Sequence, residues 1–106
     1  MLRSVGQTPV TGSGKDPRTT ALGVAVSRLR RELAGHPGHL PDQGIAEDEL
    51  SVLAGMVAAG RPEVPRMRRS LLLIAGAIGS VSALAPALMQ VRNAVDLFGE
   101  VPRQPR

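Results

Sequence analysis

The apolar positions of this chain fall into three stripes spaced alternately three and four residues apart, the seam of helices that bury one face. Leu22, Val26, Leu29 and Leu33 form the first stripe, and Ala46, Leu50, Leu53 and Val57 the second. The third is the longest: Met67, Leu71, Ile74, Ile78 and Val81, continued by Leu84, Leu88, Val91, Val95 and Phe98. Its two halves are joined by a step of three where four was due, which overwinds a helix locally. Pro86 stands just beyond that step and lacks the N–H that the Ser82 carbonyl would receive. A kink or break is therefore expected between Ser82 and Pro86.

Polar punctuation sets the limits of these segments. Thr19 or Thr20 can cap the first helix and Gly35 can end it in a left-handed conformation. Asp42 is placed to cap the second, and Gly60 to stop it. Pro65 suits the first position of the third. The expected fold is all-α, an antiparallel three-helix bundle of two short helices and one long helix kinked near Pro86; a split at the kink would give four helices. Residues 1–18 hold three Gly and two Pro among small polar side chains and read as a disordered leader. Residues 19–99 form the bundle, and 100–106 a frayed tail.

Composition narrows the chemistry. In 106 residues there is room for one small domain, and Phe98 is the single aromatic side chain. Stacking surfaces for bases or sugars are therefore missing. With no cysteine there is no disulfide framework, thiolate metal site or thiol nucleophile. The run Gly12-Ser13-Gly14-Lys15 lacks the glycine and hydroxyl positions of a phosphate-binding loop, having Pro9 and Asp16 there instead. His36 and His39 share a Pro- and Gly-rich turn with no third ligand at a suitable spacing, so they read as solvated loop side chains. No constellation for catalysis can be placed, and no cofactor, metal or small-molecule substrate is indicated. Met1 to Gly14 has no apolar core of a secretory signal, which points to a cytoplasmic protein.

The net charge of +4 is unevenly distributed. Residues 1–35 carry six basic and two acidic side chains, 36–63 one basic and five acidic, and 64–106 again six and two. Arg28, Arg30 and Arg31 lie in the last turns of the first helix, where the carbonyl pole favours cations. They are expected to pair with Glu47, Asp48 and Glu49 on the antiparallel second helix. Arg66, Arg68 and Arg69 are the exception, since they fall at the positive pole of the third helix. In an up-down-up bundle the acidic end of helix two is remote from them, leaving Glu63 as the one nearby acid. They are therefore the candidate contact for an anionic group or a partner's carboxylates, with weak nucleic-acid binding as one form of it.

From Leu71 to Met89 the chain has 19 residues without a charge. Such a run is long enough for a membrane span, with the preceding arginines holding the N-terminus inside the inner membrane. The seam continues past it, however, through Val91, Val95 and Phe98 among Arg92, Asn93 and Asp96, as in an amphipathic helix in water. Gly76, Gly79, Ser80 and Ala83 are small enough to admit another backbone closely and form the candidate helix-packing face.

Leu29-Arg30-Arg31-Glu32-Leu33, Pro62-Glu63-Val64-Pro65-Arg66, Arg69 to Val81 and Leu97-Phe98-Gly99-Glu100 together resemble a family of small proteins of unknown function from high-G+C bacteria, over roughly residues 20 to 100. The plan of two short helices before a long Gly/Ala-rich one is more loosely similar to helical modules fused to effectors in bacterial conflict systems. The resemblance implies an all-helical domain and assigns no activity. The expected function is a non-catalytic helical interaction module that self-associates, or binds another helical protein, through the Gly/Ala-rich long helix. A single-pass or membrane-surface protein with residues 71–89 in the bilayer is the first alternative, and nucleic-acid binding through Arg66, Arg68 and Arg69 the second.

Overall fold

The computed structural model describes residues 16–99, and these form four α-helices. They are α1 (Pro17–Ala34), α2 (Gln43–Ala59), α3 (Val64–Ile78) and α4 (Ala85–Gly99), with a 3-10 turn at Ser82–Leu84 leading into α4. The long helix expected over the third stripe is thus divided in two. The expected leader up to residue 15 and the tail from residue 100 lie outside the described residues.

The division falls slightly earlier than Pro86. α3 stops at Ile78 because the chain turns through Gly79 and Ser80 and is extended at Val81, with φ −89° and ψ 102°. A Cβ at position 79 would collide with the Ala75 carbonyl oxygen, so the turn depends on glycine. Pro86 then occupies the first turn of α4, where a missing N–H costs nothing because first-turn amides have no partner within the helix. The proline starts a helix instead of kinking one.

Helix limits elsewhere differ in detail from the sequence reading. α1 begins at Pro17, capped by Asp16 rather than by Thr19 or Thr20: its carboxylate accepts the Arg18 N–H at 2.8 Å. Gly35 ends α1 with φ −90°, outside the left-handed region, whereas Gly60 ends α2 with φ 67° as expected. Asp42 stands at the N-cap of α2 without a side-chain bond to the first turn. Pro65 is in the first turn of α3, one residue after its start.

Each helix packs against its neighbours in sequence, and α1 closes the ring on α4. Every neighbouring pair is antiparallel. The start of α1 meets the end of α4, where the Arg18 guanidinium lies 5.0 Å from the centre of the Phe98 ring. Further along the same two helices Arg28 reaches Gln90. Gly23 faces Val57 between α1 and α2, and Arg68 faces Gly99 between α3 and α4. The fold is consequently two helical hairpins, α1–α2 and α3–α4, laid side by side.

The centre is aliphatic. Leu22, Val26, Leu29 and Leu33 of α1, Leu50 and Leu53 of α2, Met67, Ile74 and Ile78 of α3, and Val91 and Val95 of α4 are buried with Leu84 and Phe98. Each large side chain so buried contributes about 1.5–3 kcal/mol of transfer free energy. Val57, Leu71, Val81 and Leu88, expected in the same seams, are half-buried at the edges of this core. Their places at its centre are taken by small residues, Ala25, Ala87 and Ala94, and by Ser70.

Candidate functional site

The bundle answers the one charge pattern that local helix physics disfavours. Because α3 runs antiparallel to both α2 and α4, its positive N-terminal pole sits beside the negative C-terminal poles of both neighbours. Arg66, Arg68 and Arg69 are therefore placed at an end of the molecule that compensates them. Arg66 Nη1 lies 3.2 Å from Glu49 of α2, correcting the expectation that helix two would hold its acids out of reach. The Ser70 hydroxyl, fully buried, donates to the same carboxylate at 2.8 Å and accepts from Arg66 at 3.3 Å. This satisfies a buried polar group that would otherwise cost about 1–3 kcal/mol. Arg68 lays its guanidinium against the Gly99 backbone, beside the last carbonyls of α4.

Arg66 joins α2 to α3, whereas Arg68, which lies against Gly99 of α4, and Arg69 are both exposed. The basic cluster of α1 also differs from expectation. Arg28 pairs within its own helix with Glu32 at 2.8 Å and reaches Gln90 of α4 at 2.8 Å, rather than the acids of α2. Arg30 lies in the same surface cleft as Glu47 and Asp48, but among the described residues no ion pair joins them. His36 folds its ring onto Gly38, accepting that residue's N–H at 3.1 Å, and so serves the turn.

Gly76, Gly79, Ser80 and Ala83 are all exposed. Gly76 faces open space outward from α3, whereas Gly79, Ser80 and Ala83 lie in or beside the turn into α4. They do not form one straight helical stripe, because the helix that would align them is broken at Gly79. The outward apolar side chains are larger: Ile45 of α2 is exposed, and the others lie on α1, α3 and α4. Leu72 of α3 is 73% exposed, Val24 of α1 58%, Met89 of α4 51% and Leu97 44%. Between α3 and α4, Leu72 and Met89 border a groove of about 640 Å³, lined also by Leu71, Ala75 and Leu88 and by Arg68, Arg92 and Asp96. A second, shallower groove between α1 and α4 is edged by Ala21, Val24, Ala94 and Leu97.

Sequence periodicity counted Leu72 among apolar residues without showing that it points outward, since Leu71, Leu72 and Leu73 are consecutive. The signal lay in Ser70. A polar residue three after Met67 and four before Ile74 is on the buried face, which moves Leu71 to its edge and Leu72 to the outside. Among the described residues no helix is long and apolar enough to cross a membrane. The uncharged run of residues 71–89 does not form a span, because the turn at Gly79–Val81 divides it.

These features define a small all-helical protein whose buried polar contacts hold helices together and whose outward apolar side chains lie on α1, α3 and α4, with Ile45 on α2. The chain belongs to a family of unknown function, DUF5955, whose model matches residues 11–99. No curated protein and no solved structure matches it.

Proposed function

We propose that this protein is a non-catalytic helical interaction module that associates with itself through the outer face of its α3–α4 hairpin. The carrying observation is the set of large apolar side chains left outside a core that is already closed: Leu72, Met89 and Leu97, in company with Val24. Apolar side chains scattered singly on a surface need no explanation, but neighbours that line two adjoining grooves form a patch of the kind covered by a partner. Gly76, exposed beside Leu72 and Leu73, lets a partner helix approach on the same side.

The polar groups support the same reading. Ser70, Glu49, Arg66, Arg28 and Gln90 are engaged with one another across helix interfaces, which is structural employment. Sedimentation of the full chain from about 1 to 500 μM tests the proposal, with weight-average mass expected to rise above that of one chain in the micromolar range common for modest interfaces. A single-chain mass throughout that range defeats it.

A further inference from the structure

Building on that reading of a self-associating module, the geometry points to one specific arrangement: we infer that two copies pack α4 against α4, antiparallel, about a two-fold axis at Asn93 and Ala94. The outward ridge of α4 repeats every four residues as Met89, Asn93 and Leu97, all exposed. Asn93 stands midway between the two apolar side chains. A two-fold axis at that point therefore sets Met89 of each copy near Leu97 of the other, twice over, as an isologous interface requires. Asn93 meets its own counterpart at the axis, and a primary amide has the donor and acceptor to pair with itself.

Charge supports the same register. Arg92 and Asp96 are one turn apart on the α3 side of the ridge, both exposed, and among the described residues neither joins an ion pair. A basic residue four before an acidic one is the less favourable order within a helix. Across the proposed axis the flank of one copy faces the same flank of the other, running in the opposite direction. Arg92 of each copy then lies about 3 Å along the helix from the level of its partner's Asp96, a step two long side chains can span, giving two reciprocal pairs. The grooves on either side of the ridge supply Leu72 from α3 and Val24 from α1 to widen the contact. A parallel arrangement would instead set Met89 against Met89 and turn the flank with Arg92 and Asp96 away from its counterpart, losing both complementarities.

The chain contains no cysteine, so a single introduced thiol reports the axis without interference. Under mild oxidation Asn93→Cys is expected to form a disulfide-linked dimer, because helices facing at a two-fold bring equivalent positions within bonding range. Ser51→Cys, exposed on α2, is expected to remain uncrosslinked at the same concentration. A second test uses charge alone. Arg92→Asp and Asp96→Arg should each sediment as single chains, while a one-to-one mixture regains the doubled mass, since each acidic flank then meets a basic one. Helix content measured by circular dichroism should be unchanged in all of them. A wild-type dimer with Asn93→Cys uncrosslinked and the charge variants still dimeric overturns this register while leaving self-association standing. A wild-type chain that stays monomeric overturns both.

Discussion

At the end of the bundle where α1 turns into α2, the outward positions of those helices carry Arg30, Arg31, Glu47 and Asp48 beside an exposed Ile45, while the same end of the α3–α4 hairpin shows Gly76, Ala83, Pro86 and Met89. The two hairpins bury similar stripes of Leu, Ile and Val, so the core does not dictate this contrast. A surface of mixed charge favours water around α1 and α2. The outside of α3 and α4 has no such dressing between Leu71 and Met89. Both hairpins carry a groove, but the linings differ. The one between α1 and α2, about 840 Å³, is edged by Asp16, Thr20, Ser27 and Arg31, whereas Leu71, Leu72, Leu88 and Met89 edge the one of about 640 Å³ between α3 and α4. Outward leucines that the monomer's core does not use are what an interface would use.

The sharpest way to break this comparison is to place a carboxylate on each side of α3. Ile78 is fully buried and Leu72 is 73% exposed, although both are apolar residues of one helix. Ile78→Asp strands a charge in the core and should cost more than about 3 kcal/mol, enough to unfold a domain of this size. Leu72→Asp should change the stability of the monomer by about 0.5 kcal/mol or less. Urea denaturation at a concentration low enough to keep single chains reads both. Equal losses would mean that Leu72 belongs to the core and that the second hairpin has no surplus face.

Much of this division was legible in the amino-acid order, for a simple reason: Leu22, Val26, Leu29, Leu33, Leu50 and Leu53 repeat with helical period, and burial follows the period. The break in the third stripe is legible too, but the interval Ser82 to Pro86 catches only its second half, because Gly79 and Ser80 begin the turn. Proline forbids a helix interior and permits a helix start, and only the length of the next segment decides between them. Pairing between elements was far less legible. Glu49 reaches Ser70 and Arg66 because of how α2 lies on α3, and Arg28 prefers Glu32 and Gln90 because α4, not α2, lies beside it. No local pattern encodes those distances. Asp16 was hidden differently, inside a stretch whose Gly and Pro content suggested that no helix had yet begun. The small-residue face was legible only in part, since Gly76 lies on α3 while Gly79, Ser80 and Ala83 fall in or beside the turn into α4.

Glycine substitutions sharpen the contrast at a smaller scale. In a helix interior, Gly→Ala gains about 0.5–1 kcal/mol from reduced backbone entropy when space allows. At Gly76 a Cβ meets nothing within 4 Å, so Gly76→Ala should realise that gain. At Gly23 the new Cβ lies 3.2 Å from Val57 Cγ1, so α1 and α2 must part slightly and Gly23→Ala should gain less or lose. Thermal melts of the two variants beside the wild type give the order directly. If Gly23→Ala proves the more stabilising, the close seam of the first hairpin is not there.

The smallest effect concerns how the two odd-numbered helices begin. α1 opens with Asp16 accepting from the Arg18 N–H and side chain, whereas α3 opens at Glu63 with no side-chain bond to its first turn. The Arg18 side chain, and then its backbone N–H, holds the Asp16 carboxyl below its ordinary value of 3.8. A carboxyl lowered in the folded state stabilises the fold above its unfolded value, and that contribution disappears as the pH falls through the folded one. The site is exposed, so the loss should appear as fraying of the first turn of α1, not as unfolding. Amide exchange followed downward from pH 6 should show Arg18, Thr20 and Ala21 losing protection below about pH 4, the ordinary aspartate range. The opening turn of α3, which has no carboxylate cap to lose, should change less over the same interval. Asp16→Asn retains an oxygen for the Arg18 N–H but no titrating group, and should abolish the acid-dependent step in α1. A step that survives this substitution would have to arise elsewhere than at the cap.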